Sequence, residues 1–445
     1  MSYFDVTAWN LKLSGADNQN IRFLIRRCQR TLVAIPGYGV PILQCLMPLA
    51  ARHATSLSAL LSLALRFRSS ESLTDGISDS SPIKNASNRS SPTLVMDSYQ
   101  QAISNLRSSL FRLQSGQGDI EEAIAVSMIL WIFGLPGHEI WSIHLHGLIA
   151  LLESTPIPAS GTQIQSNLHQ FATMTAAHLD IRAISIGRHE ILSLSVEEKT
   201  FSGWEISSGY PESLMTIIAL VSAIVEDDLP GKELDPVCRE YLEQLAFHSS
   251  HAGSGVSPIY GSPMTTNGRN VKLIAFMESI ITQWKPPSIP DSVLLETSIP
   301  LLVMWEVMRK TAMIYLWRGG FEADITVPLP KEQEITVNRF TREICGGIEQ
   351  VIQAAEKFHM PMANSLIWPL AVIGNEASRS PTLQAKVQEY LERIYTYFQI
   401  PHHQMMATLL QQLWDTLKKG SGAVSGAPLC LHLICLEENI RLPLL

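Results

Sequence analysis

The sequence predicts an all-α protein, a large helical array, on three observations. Apolar residues recur at three- and four-residue steps along most of the chain. Helix start and stop signals sit at the ends of those runs, and period-two alternation long enough to build a sheet is scarce. The 445 residues would fit two or three average domains or one large array. With 46 % hydrophobic and 17 % charged residues the chain has material for a substantial core, which excludes disorder throughout.

The first element is a helix whose apolar side is Ile21, Leu24, Ile25, Cys28 and Leu32, opposite Arg22, Arg26, Arg27 and Arg30. A solvated polar face explains these arginines better than a nuclear-import signal or a phosphate-binding patch. From Met96 to Gln114, the recurrence of Tyr99, Ile103, Leu106, Leu110 and Leu113 predicts an amphipathic helix. Asp119 and Glu122 have the spacing of a capping box, an N-cap with a reciprocal N3 carboxylate, ahead of a more buried helix from Ala123 to Phe133. Pro136 and Gly137 end it, and Ile140–Glu153 follows with Trp141, Leu145, Leu148, Ile149 and Leu152 on its apolar side.

Further helices are expected over Phe171–Ile184, Leu214–Glu226, Leu301–Trp317, Ile344–Phe358, Gln384–Phe398 and His403–Leu417. Ser380 before Pro381 reads as an N-cap with proline at the first helical position, where its missing N–H is harmless. Two stretches, 69–92 and 248–270, are rich in small polar residues and read as flexible, disordered insertions. The organisation is therefore a helical lead-in over 1–38, a helical domain over 39–418 and a tail over 419–445. That tail begins Gly- and Ser-rich and turns apolar, to pack as a terminal element or to extend without consequence.

A net charge of −8 argues against a surface dominated by phosphate contacts, so no direct DNA binding is expected. The cysteines at 28, 45, 238, 345, 430 and 435 form no CxxC pair, and no metal site is expected. The N-terminus lacks a basic start with an apolar run, and no apolar stretch approaches the roughly 20 residues of a bilayer span. The chain reads as intracellular, without a membrane contact, and the sequons at Asn85 and Asn88 as incidental.

No phosphate loop, dinucleotide fingerprint, nucleophile elbow or HExxH helix is present, and no cofactor is expected. Asp227 and Asp228 lack the further acid that a magnesium–diphosphate site needs. The polar cluster with most chemical scope is Trp141, His144, His146, His178, Asp180 and Arg182, since histidines beside a carboxylate can exchange protons near neutral pH. His144, His146, His178 and Asp180 are the catalytic candidates; Trp141, Arg182 and Trp368 are the ligand-binding ones. His144 and His146 stand about 200° apart around a helix and cannot face one ligand together. Core histidines satisfied by hydrogen bonds, and a core role for Trp368, account for the same residues. Nine tryptophans and 15 methionines are compatible with a cavity for an apolar small molecule and equally with core packing.

The order of segments resembles the fungal-specific transcription factor domain, the helical regulatory region that follows the zinc cluster in many fungal regulators. The stretches are Gly39–Leu65, Met96–Leu110, Glu121–Ser154, His178–Ile191, Gly209–Ile224 and Ala363–Ala377, with Trp141, His144, Leu145, Gly147, Leu151 and Leu152 matching the most recognisable block. His146 stands where the family usually has a basic residue. The resemblance implies a regulator-like protein, here without the zinc cluster, sensing a ligand or binding a protein partner or a second copy. It implies a nuclear place and fits a fungal secondary-metabolite pathway. The rival expectation is a cofactor-free cyclase, pericyclase or isomerase in the cytoplasm, holding an apolar polyene or terpenoid in a reactive conformer. A third is a gene model whose true start lies upstream and supplies the missing cysteines.

Overall fold

The computed structural model describes residues 13–31, 41–74, 92–134, 140–154, 163–181, 184–186, 209–227, 271–291, 293–419 and 429–444. Over these the chain is all-α. The first half comprises α1 (Gly15–Thr31), α2 (Pro41–Arg52), α3 (Ala54–Thr74), α4 (Pro92–Gln114), α5 (Ile120–Gly134), α6 (Ile140–Glu153) and α7 (Gln163–Asp180). A two-residue strand β1 (Ser185–Ile186) leads to α8 (Glu212–Asp227), α9 (Val271–Gln283), α10 (Leu295–Arg318) and α11 (Lys331–Phe358). A 3-10 turn (Pro361–Leu366) then opens α12 (Ile367–Glu376), followed by α13 (Pro381–Phe398), α14 (Pro401–Lys418), α15 (Leu431–Glu437) and β2 (Leu442–Pro443). No helix among the described residues is long and apolar enough to cross a membrane.

The buried apolar residues form two separate cores, one from Ile21 to Leu179 and one from Ile181 to Leu444. Each is built around a helix buried on all sides. In the first it is α5, where every residue from Glu121 to Gly134 is buried among α3, α4, α6 and α7. In the second it is α12, buried from Ile367 to Asn375 among α10, α11, α13 and α14. A helix apolar all round has no solvent face to present, so its neighbours must enclose it.

The local signals act as the sequence predicts at several helix ends. Ser380 Oγ accepts from Leu383 N with Pro381 at the first helical position of α13. Ser14 caps α1, its hydroxyl accepting from Asp17 N at 3.2 Å. Asp119 caps α5 through Glu121 N at 2.9 Å, but the capping box is only half made. Glu122 turns to Arg112 at 3.0 Å, because a neighbouring guanidinium outbids a backbone N–H for a carboxylate. At the end of α10 the chain reverses through Gly319 and Gly320, both at φ near +80°. A Cβ on Gly320 would lie 2.8 Å from Val225 and 2.9 Å from the Tyr315 hydroxyl, so the backbone conformation and the close approach both demand glycine.

Three expectations change. The first insertion does not begin at 69, since α3 runs to Thr74 and α4 starts at Pro92. Arg68 extends α3 by donating to Asn20 Oδ1 at 2.6 Å and lying over the Phe23 ring of α1. Residues 75–91 and the whole of 248–270 lie outside the described residues. The helix expected over Phe171–Ile184 is Gln163–Asp180, and Ile184–Ile186 instead meets the C-terminal segment, where Leu444 N donates to Ile184 O at 2.7 Å. Arg27, finally, is not on a solvated face. It is buried and donates to the carbonyls of Phe398 and Gln399 at 2.8 and 3.3 Å. These are the last carbonyls of α13, which ends on Gln399 at φ 53°, and a cation there meets the negative end of the helix dipole. Arg22 and Arg26 are exposed as expected.

Candidate functional site

The candidate histidines lie on α6 and α7, which pack against each other in the first core. Along α6, Trp141, Leu145 and Leu148 are fully buried while His144 and His146 are half-buried. His144 faces α4, its Nε2 2.7 Å from the Tyr99 hydroxyl, with the two rings edge to face. With the ring proton on Nδ1, the tyrosine O–H is the donor. Tyr99 in turn stacks on Phe133 of α5 at 4.7 Å between centroids, and the Arg66 guanidinium of α3 lies over that same ring. Four helices thus deliver Arg66, Tyr99, Phe133 and His144 to one aromatic and polar cluster.

Burial sets the protonation of this cluster. It pulls His144 down to about 4, raises the Tyr99 hydroxyl and lowers Arg66. His178, in the last turn of α7, is buried and also falls to about 4 for the same reason. Both histidines are therefore neutral near pH 7. Neutral His144 is then free to accept from the Tyr99 hydroxyl. Asp180 closes α7 and its side chain is not described, and Arg182 lies outside the described residues. Among the described residues no group of three His, Cys, Asp or Glu side chains is placed to hold a metal ion.

Trp141 and Trp368 do not share a site, because each belongs to a different core. Trp141 is fully buried and its Nε1 donates to the carbonyl of Arg441 at 2.9 Å, while the Arg441 guanidinium donates to Ser142 Oγ at 3.0 Å. Trp368 sits on the central helix α12 with no exposed surface, its ring 6.2 Å from Tyr315, which meets Phe321 edge-on. Its Nε1 has no hydrogen-bond acceptor, a state shared by Trp131 of α5. An indole N–H left unpaired in a core forfeits the bond it makes in water.

Tyr99, Arg66 and Arg441 were not singled out by sequence. Tyr99 carries the period of an ordinary helix face, and the bond that distinguishes it reaches across 45 residues. Arg441 stands 300 residues from Trp141, beyond any spacing rule.

Residues 25–425 match the family model described as the fungal specific transcription factor domain. The chain belongs to that family. No curated protein and no solved structure matches it. The span of this fungal transcription factor domain takes in α5 and α12, the centres of both cores, and stops short of α15 and β2.

Proposed function

We propose that this protein is a nuclear regulator of transcription whose helical domain responds to an apolar small molecule or a protein partner, in the control of a secondary-metabolite pathway. The family match over residues 25–425 carries the regulator-like part of this reading. The ligand-responsive part draws support from Trp368, a buried indole N–H without an acceptor at the centre of the second core. A ligand suited to it is largely apolar and offers one acceptor oxygen.

Contact with DNA would come through a partner or a paired relative. The net charge of −8 favours this, as does Arg27, which caps α13 instead of adding to a basic face on α1. The test is deletion of the gene, with metabolites profiled and transcripts of neighbouring genes measured in the same cultures. Coordinate loss of transcripts and of the related products is the expected result. Unchanged transcripts with accumulation of a single uncyclised precursor would overturn it in favour of a cofactor-free cyclase or isomerase.

A further inference from the structure

The start of α10 is apolar on two faces but enclosed on only one. Thr297, Pro300, Leu301 and Met304 point inward and are buried, while Leu295, Ile299 and Leu302 are exposed, together with Leu294, the residue before the helix. Polar side chains in the run 294–304 are confined to Glu296, Thr297 and Ser298. A helix apolar all round is stable when neighbours cover every side, as they do for α5 and α12. Among the described residues ten large hydrophobic side chains are exposed. Four of them lie within 294–302, and the others are spread over α4, α6 and the residues around the start of α11. Scattered apolar residues are ordinary on a surface, whereas a contiguous group marks a contact. The end of the helix is also weakly held by its own backbone. Leu294 gives it no side-chain cap, and Pro300 supplies no N–H to the carbonyl of Glu296.

Shape and symmetry point to what covers this stripe. Leu294 and Leu295 are 69 % and 71 % exposed, so they stand out from the surface rather than line a groove, and the surface that fits them is another helix laid alongside. The positions 295, 299 and 302 are nearly symmetrical about Ile299. A second copy running antiparallel sets Ile299 against Ile299 and Leu295 against Leu302, a self-complementary contact. Each Glu296 then lies beside the partner's Val303, roughly 9 Å along the axis from the other Glu296 and so about one Debye length away. A parallel copy would instead hold the two carboxylates at the same height.

The area is sufficient for such a pair. The four side chains expose roughly 400 Å² of aliphatic surface, a patch of the size that is often functional on a monomer. Pairing removes roughly 800 Å² of it, which at the ~65 % apolar share of homodimer interfaces implies a total of roughly 1,200 Å². That clears the ~1,000 Å² of a specific contact and stays at the small end of the range, where complexes are transient.

We propose that the stripe Leu294–Leu302 on α10 is the surface through which two copies of this chain pair, antiparallel, with Ile299 on the two-fold axis.

Sedimentation velocity of the full chain from about 0.5 to about 50 µM tests this, and a monomer–dimer exchange with a micromolar Kd is expected. Ile299→Glu is expected to weaken pairing by about tenfold or more and the milder Leu295→Gln by about threefold, with the circular dichroism of the helices unchanged. On mild oxidation Ile299→Cys is expected to give a disulfide-linked dimer, because the two thiols meet on the axis. Leu302→Cys alone is not, since its two copies stand roughly 9 Å apart along the helices, beyond disulfide reach, but mixed with Leu295→Cys it should link. The unsubstituted chain, whose described cysteines are all buried, sets the background. A chain that stays monomeric at about 50 µM overturns the proposal, and so does a dimer that Ile299→Glu leaves intact. In the monomer, maleimide labelling of Ile299→Cys then tells whether the stripe is covered by other residues of this chain or stands open to a different protein.

Discussion

The two central helices solve the same burial problem with charges at opposite ends. In the first core α5 opens on two buried carboxylates, Glu121 and Glu122, which favour the positive end of the helix and are met by Arg52 and Arg112 from outside. In the second core α12 closes on Glu376, where the helix dipole opposes a carboxylate. Arg318 of α10 compensates with a two-pronged pair, 2.7 and 2.6 Å, and also reaches Glu334. Burial raises the Glu376 carboxyl against the pull of Arg318, whereas Glu122 is held below its usual range by Thr55, His53, Ser109 and Arg112 in spite of burial. Burial also raises Glu121 against Arg52, so within the first core it is Glu122 that shares its stabilisation among several small contributions, whereas Glu376 leans chiefly on Arg318 with a lesser pull from Arg379.

Acid is expected to affect both cores most. His178 in the first is held at about 4 and His403 in the second at about 3, each by burial. Their folded values lie below the unfolded 6.5, so the unfolded chain binds more protons and stability is lost as pH falls through 6.5 toward 4. Each histidine contributes on the order of 3 kcal/mol by pH 4. Urea unfolding between pH 7 and 4 should show this slope. His178→Gln and His403→Gln should each flatten it, whatever they do to stability at pH 7; an unchanged slope in both would show that the carboxylates alone set it.

Arginine removal separates the cores. Arg318→Ala leaves Glu376 buried and unpaired and is expected to destabilise by about 3–5 kcal/mol. Arg112→Ala, whose partner keeps other donors and whose own side chain is 47 % exposed, should cost about 1 kcal/mol. Equal losses in thermal unfolding would erase the distinction drawn between the two helix ends.

Two helical glycines give the smallest and most local contrast. A Cβ on Gly374 of α12 would fall 2.5 Å from Leu410, so Gly374→Ala is expected to cost about 1–3 kcal/mol. Gly147 on the exposed side of α6 has nothing within 4 Å, and Gly147→Ala should gain about 0.5–1 kcal/mol. Chemical denaturation of the two variants should therefore move in opposite directions.

What the sequence revealed was local. The cap at Ser380 and the span of α6 depend on neighbours three or four residues away, and both appear as read. The buried α5 was visible as an unbroken apolar run after Asp119, although Glu122 chose Arg112 over the cap. Arg27 looked solvated because its partners lie 371 and 372 residues further along, and no periodicity carries that information. At the candidate site the same division holds. His144 was legible as a polar residue on a buried helix, but its tie to Tyr99 needed the packing of α4 on α5 to become apparent.

The bond between Trp141 and Arg441 also has a meaning in time. A ribosome adding about 5–20 residues per second reaches Arg441 roughly 15–60 s after it has made Trp141. All seven helices of the first core are synthesised by then, and helices and local packing form far faster than that. The nascent first core must therefore persist with the α6 indole N–H unmet by its final partner, stable enough to wait and still open to whatever else offers a carbonyl.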